Sequence, residues 1–187
     1  MFARRFAGMI LVFGAALLLS AQLQAADFTV FLGGVFPESI EHNDVETPLD
    51  ASPVYGFRLS NSIVPMFAME HTLGFSSDYL FPGSGSAVGE AKGFVYHSNL
   101  VLNLPFRPFS AVPYLTAGAG LLHQYGSSDL PVGTRFAYNY GGGLKLPGIA
   151  GPVGLRFDLR GYSAGIFANK LNMLEFSGGL YLSLGGF

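Results

Sequence analysis

From residue 27 to the C-terminus, apolar side chains recur at every second position. That period belongs to a strand with one apolar face, because successive strand side chains point to opposite sides. Eight segments carry it: 27–36, 54–62, 66–77, 92–104, 113–125, 134–146, 153–164 and 173–187. Most are 9–13 residues long, which suits tilted membrane strands of about 9–11 residues. After Leu19 every long stretch is broken by Gly, Pro or a polar residue within ten positions. No segment there supplies the roughly 20 apolar residues of a membrane helix. Yet the chain is 50% hydrophobic and only 12% charged, where soluble domains carry roughly 25% charged residues. A bilayer core admits only helices or closed barrels, because unpaired backbone groups are costly in hydrocarbon. With helices gone, a barrel remains. The pattern predicts an all-β fold, an eight-stranded antiparallel transmembrane β-barrel of the up-and-down kind.

Composition closes other routes. Aromatics at 14% and 26 glycines fit neither a disordered chain nor a helix bundle. The absence of cysteine removes disulfide scaffolds, Cys-ligated zinc, iron–sulfur clusters and thiol catalysis. A net charge of −2 leaves no basic footprint for nucleic acid.

The first 25 residues read as a targeting segment. Arg4 and Arg5 form a positive start, Ala7 to Leu19 is an uncharged run of 13 residues, and Leu23, Gln24 and Ala25 precede Ala26. This is the pattern of a cleaved secretory signal peptide. The expected organisation is a signal peptide over 1–25 and a barrel domain over 26–187. The exported part then carries a net charge of −4, because only Arg4 and Arg5 leave with the signal.

The connections alternate in character. Long polar segments fall at 37–53 and 78–91, and a tight turn at 62–65. Long loops on one side and short turns on the other are the habit of outer-membrane barrels. No helical crossover is present to build a parallel sheet. Each strand can be sorted into two faces. Phe157 and Leu159 oppose Arg156, Asp158 and Arg160; Tyr138 and Leu144 oppose Arg135 and Lys145; Phe94, Tyr96 and Leu100 oppose His97; Phe67, Met69 and Leu73 oppose Glu70; Tyr55 and Phe57 oppose Arg58; Phe176 and Leu180 oppose Glu175. A soluble sandwich or lipocalin-like barrel also alternates. Here each polar face holds only one to three charges, mixed with Asn, Ser, Thr and Gly, which suits a narrow closed interior. Eight strands leave a lumen that side chains fill, and buried charges must pair. The expected lumen network is Arg58, Glu70, His97, Arg135, Lys145, Arg156, Asp158, Arg160 and Glu175, blocking the interior. Thr116, Gly118 and Gly120 share one face of the fifth segment and are expected to make room for the long arginines. Gly141, Gly142 and Gly143 in the sixth relieve crowding or permit a bulge.

Residues 99–121 read NLVLNLPFRPFSAVPYLTAGAGL, residues 136–146 FAYNYGGGLKL and residues 154–162 GLRFDLRGY, and the chain ends in Phe187. Together these resemble the outer-membrane β-barrel family that includes OmpA-like transmembrane domains, OmpX and the opacity-type surface proteins. The resemblance implies a porin-like shape in the outer membrane of a Gram-negative cell. It implies lipid and lipopolysaccharide as surroundings, and recognition of Phe187 by the barrel-assembly machinery. One departure stands out: alternate positions back from Phe187 are Gly185, Ser183 and Tyr181, while Leu180, Leu182 and Leu184 take the opposite parity. A bulge at Gly185–Gly186 would restore the register.

Some barrels of this size are acyltransferases or deacylases acting on lipid A through His and Ser. His97 and Ser98 are adjacent, but adjacent strand residues face opposite ways, and the His-x-Ser position holds Asn99. His97 is therefore expected as a lumen hydrogen-bonder. His71 faces lipid by parity, either alone or paired to a neighbouring strand. His123 falls at the outer end of its segment. Glu38, Glu41, His42, Asp44, Glu46 and Asp50 form a solvated acidic loop whose spacing matches no EF-hand loop. No cofactor is expected. The expected role is structural or interaction-type, in membrane integrity or adhesion through an extracellular ligand at loops 37–53 and 78–91. The alternatives are a narrow channel for small or hydrophobic solutes and a lipid A-modifying enzyme.

Overall fold

In the computed structural model, residues 26–37, 40–42, 45–47, 49–76, 81–82, 91–126, 133–164 and 171–184 are described. Eight long strands form the body: β1 Ala26–Pro37, β2 Ser52–Val64, β3 Phe67–Ser76, β4 Ala91–Asn103, β5 Val112–Gly126, β6 Gly133–Ala150, β7 Val153–Ala164 and β8 Leu171–Ser183. Each pairs antiparallel with the next, and β8 returns to β1, so the sheet closes as an up-and-down barrel. Closure is direct, with Val30 opposite Leu180 and Gly33 opposite Ser177. The register slips near two turns, between Ser62 and Val64 and between Leu146 and Ala150, where bulges ease a tight connection.

The strands start and stop within a few residues of the alternating segments, except that β6 runs on through Pro147 to Ala150. The two ends of the barrel differ. At the turn end the connections are short: 65–66, 104–111 and 151–152. Gly151 there takes φ 60°, a left-handed turn conformation natural to glycine. Ile63, Val64, Met66, Phe106, Phe109 and Ile149 stand exposed on these connections and on the strand ends beside them. At the loop end, residues 40–42 pair with 45–47, and 49–50 pair with 81–82. The second ladder joins the two long loops to each other.

The barrel is turned inside out relative to a soluble protein. Leu32, Phe57, Leu100, Phe136, Leu159 and Phe176 face outward and are exposed, while Arg58, Glu70, Arg156, Arg160 and Glu175 are at most 1% exposed. Soluble proteins almost never bury such side chains. The outward band is the surface a bilayer solvates, bounded near the loop end by aromatic and imidazole rings, with Phe94 against His123 and His123 against Tyr125. Phe and Tyr supply this girdle in a chain without Trp.

Gly118 and Gly120 face inward on β5, but the structure gives a different reason for them than space for arginines. A methyl group at Gly118 would strike the Ser98 carbonyl and the Asn99 side chain, and one at Gly120 would strike the Tyr96 carbonyl. These glycines let β4 and β5 close together.

Candidate functional site in the barrel lumen

The interior is layered. At the turn end Lys145 Nζ donates to Asp27 Oδ2 at 2.8 Å, beside a polar mouth of about 400 Å³ lined by Asn103, Arg107, Tyr181 and Ser183 among others. Above it Ala68, Val101 and Tyr114 form a small apolar floor.

The middle layer is ionic. Alternation on β7 puts Arg156, Asp158 and Arg160 on one face, so one strand brings two cations and an anion together. Asp158 is the hub. It pairs with Arg58 at 2.8 Å, Arg156 at 3.0 Å and Arg160 at 2.7 Å, and the Tyr114 hydroxyl donates to it at 2.5 Å. Glu70 of β3 bridges Arg156 at 2.5 Å and Arg160 at 2.7 Å, and Ser60 donates to it at 2.9 Å. Glu175 of β8 accepts from Arg58 at 2.6 Å, from Tyr162 at 2.6 Å and from Ser177 at 2.6 Å. Three guanidiniums thus meet three carboxylates, so the six charges sum to zero. The Arg58 guanidinium also lies 3.7 Å over the Phe31 ring, and that of Arg156 lies 4.7 Å over Tyr114. The Asn139 and Asn99 amides meet at 2.8 Å, and Thr72 accepts from Arg160 at 3.4 Å. Charge-assisted, forked pairs of this kind fix geometry as well as energy.

The top layer, toward the loops, is apolar. Phe31, Val35, Val54, Val95, Leu122, Ala137, Tyr162, Ala164 and Met173 form one buried cluster. Its residues carry no charge, and charge is what marks an inward face in the sequence. The signal was present: Val54 shares parity with Arg58, Met173 with Glu175, Val95 with His97 and Asn99, and Leu122 with Thr116 and Gln124.

Of the lumen residues read from the sequence, Arg58, Glu70, Arg156, Asp158, Arg160 and Glu175 come together in this cluster. Lys145 points inward but pairs below it with Asp27. His97 is fully buried against the Tyr162 ring, at 5.2 Å between centroids, and neither ring nitrogen has a hydrogen-bond partner among the described residues. Arg135 is half-exposed at the loop end of β6, opposite Leu122. Phe187 and the Gly185–Gly186 bulge lie outside the described residues, as do the side chains of the acidic segment 38–50 and of loop 78–91.

On the outer wall, Ser98 faces away from His97 and instead meets His71. Nδ1 of His71 lies 3.0 Å from Ser98 Oγ and 3.0 Å from Tyr96 Oη. His123 Nδ1 lies 2.8 Å from Thr134 Oγ1 at the loop-end girdle. The carboxylates of the described barrel strands, Asp27, Glu70, Asp158 and Glu175, all face the lumen, so none orients an outer-wall histidine.

An apolar exterior, an ionic interior and closure over eight strands define the class: this chain has the fold of the eight-stranded outer-membrane β-barrels. No family model matches the chain, and no curated protein matches it in sequence; solved structures do. Neisserial surface protein A is 12% identical, with a TM-score of 0.63 over 85% of this chain and 96% of that one. The N-terminal β-barrel domain of Pseudomonas aeruginosa OprF is 15% identical, with a TM-score of 0.55 over 85% of this chain and 98% of that one. Ail, the attachment invasion locus protein of Yersinia pestis, crystallised with the heparin analogue sucrose octasulfate, is 12% identical, with a TM-score of 0.51 over 84% and 99%. All three are outer-membrane or cell-surface barrels.

Proposed function

We propose that this protein is a closed outer-membrane scaffold that displays loops 37–53 and 78–91 at the cell surface, serving adhesion or membrane integrity without conducting solutes or doing chemistry. The observation that carries this is the ionic layer: Arg58, Arg156 and Arg160 span the lumen to Glu70, Asp158 and Glu175, all of them 2% exposed or less. An ion crossing there would have to displace charge-assisted pairs held from β2, β3, β7 and β8. The apolar layer above adds a second, dry barrier. The ladder between 49–50 and 81–82 supports a single display surface built from both loops. Ail, of the same fold, was crystallised with a heparin analogue, which supports an extracellular ligand here.

In this reading residues 1–25 are the cleaved export signal and 26–187 the mature barrel. Assembly uses the last strand and Phe187 through the barrel-assembly machinery. Outer-membrane lipid and lipopolysaccharide surround the wall. The His71–Ser98 contact is not assigned hydrolysis, because it sits at mid-band, far from any lipid ester, and has no carboxylate behind it. Planar-bilayer recording tests closure: purified barrel at high protein load is expected to give no discrete conductance steps, and regular steps from the wild-type chain would refute it. Mass spectra of lipid A from cells with and without the gene are expected to match; a changed acyl pattern would overturn the non-catalytic assignment.

A further inference from the structure

We propose that the wall formed by β3, β4 and β5 is a self-association surface within the membrane, occupied by a second copy of this chain. The proposal rests on the membrane-barrel reading and deepens it by naming a partner.

Three polar side chains interrupt the outward band there. His71 of β3 and Ser98 of β4 are direct register partners, and Tyr96 lies one outward position above Ser98. His71 Nδ1 stands 3.0 Å from each hydroxyl, and the hydroxyls stand 3.3 Å from one another. The His71 and Tyr96 rings are parallel within 4°. On the turn side, the neighbouring row is Met69, Leu100 and Ala117; on the loop side, Leu73 and Leu121 flank Tyr96. His71 is the fifth of the ten residues of β3. At about 3.3 Å per residue and about 40° of tilt, it lies about 10–13 Å from either end of the strand, in the middle of the hydrocarbon.

A neutral imidazole has one donor and one acceptor nitrogen. In the tautomer that accepts from both hydroxyls at Nδ1, the proton lies on Nε2. No described residue accepts from Nε2. An open N–H in hydrocarbon is costly, and lipid tails at that depth carry no acceptor. A second copy does. A two-fold axis along the membrane normal sets equal depths against each other, so each His71 meets the other copy's Tyr96 and Ser98 oxygens, and the contact is isologous. The cluster holds both the donor and the acceptors, so it complements itself. Beside it, Ala119 is the register partner of Ser98, with Ala117 next on the same face. Small residues let two walls approach, and polar residues bind them, in membrane assemblies.

The chain contains no cysteine, so single-cysteine reporters are clean. Leu100→Cys marks the proposed face and Phe176→Cys the opposite wall on β8. Each is reconstituted in phosphatidylethanolamine–phosphatidylglycerol vesicles and treated with a short bis-maleimide. Leu100→Cys is expected to give covalent dimer, and Phe176→Cys only the trace set by random encounter. Adding His71→Phe to Leu100→Cys should weaken association about tenfold, the scale of two interhelical-type hydrogen bonds in membranes. Ala119→Phe, which leaves the polar cluster intact, should block approach as well. Equal cross-linking at both cysteines, as when lipid covers both walls alike, overturns the proposal. So does a Leu100→Cys dimer indifferent to both second substitutions. Insertion is read separately, from alkali-resistant vesicle association: its loss refutes the barrel reading, whereas insertion without Leu100→Cys dimers refutes self-association alone.

Discussion

Replacing Asp158 by Asn removes one charge and almost no volume at the hub of the lumen. In the native barrel Asp158 faces Arg58, Arg156 and Arg160 at 2.8, 3.0 and 2.7 Å. Two unit charges about 4 Å apart attract by about 4 kcal/mol at an effective dielectric of about 20. The full sum is never realised, because each ion gave up its hydration. What decides the outcome is the state left behind. Three arginines would face only Glu70 and Glu175, a net charge of +1 in a layer closed to water, and the new amide would turn two donors toward guanidinium donors. Breaking a buried pair by removing one partner costs about 3–5 kcal/mol, and a carboxylate with three partners belongs at the upper end. Urea unfolding of the folded barrel in detergent, followed by loss of strand circular dichroism, measures it. Glu175→Gln, which strips only Arg58 of a partner among the arginines, should lose less. Adding Arg160→Gln to Asp158→Asn restores neutrality and should recover part of the loss. A loss under about 1 kcal/mol for Asp158→Asn, or a double variant weaker than the sum of its singles, would refute a dry, charge-balanced lumen.

Three further outcomes follow from the same geometry. Phe31→Ala opens a cavity in the top layer and removes the ring under Arg58; it should cost about 3–5 kcal/mol in the same urea assay. Gly120→Val places a branched side chain against the Tyr96 carbonyl; the barrel is expected not to close, read as loss of the compact, unheated gel species. Leu159→Arg sets a charge on the outward band between inward Asp158 and Arg160 and should destabilise the membrane-inserted barrel by about 2–4 kcal/mol, whereas a soluble barrel would tolerate it.

The strands and their faces were legible because alternation needs only local information: on β7, 153–160 names every inward and outward residue without reference to another strand. Partnership was not. Arg58 reaches Asp158 and Glu175 across 100 and 117 residues, and that meeting depends on the β1–β8 closure and on register around the whole ring. The separate fate of Lys145 has the same origin, since β6 carries it below the ionic layer to Asp27. The apolar layer escaped for another reason: an inward Val is indistinguishable from an outward Val until a neighbour's charge fixes the parity. The outer-wall meeting of His71 and Ser98 required knowing which residue of β4 stands across from which of β3, a register that neither strand carries by itself.

The connections at the turn end and the strand ends beside them carry Ile63, Met66, Phe106, Phe109 and Ile149 on the outside, and Phe109 is fully exposed. Such tips gain about 1.5–3 kcal/mol each on leaving water, so the turn end is drawn into the leaflet it meets rather than held clear of it. The molecule is thereby keyed at a fixed height. Pushing its turn end out of the bilayer by even a few ångströms would wet the tips one ring at a time, beside the mouth that Lys145, Asp27 and Arg107 line.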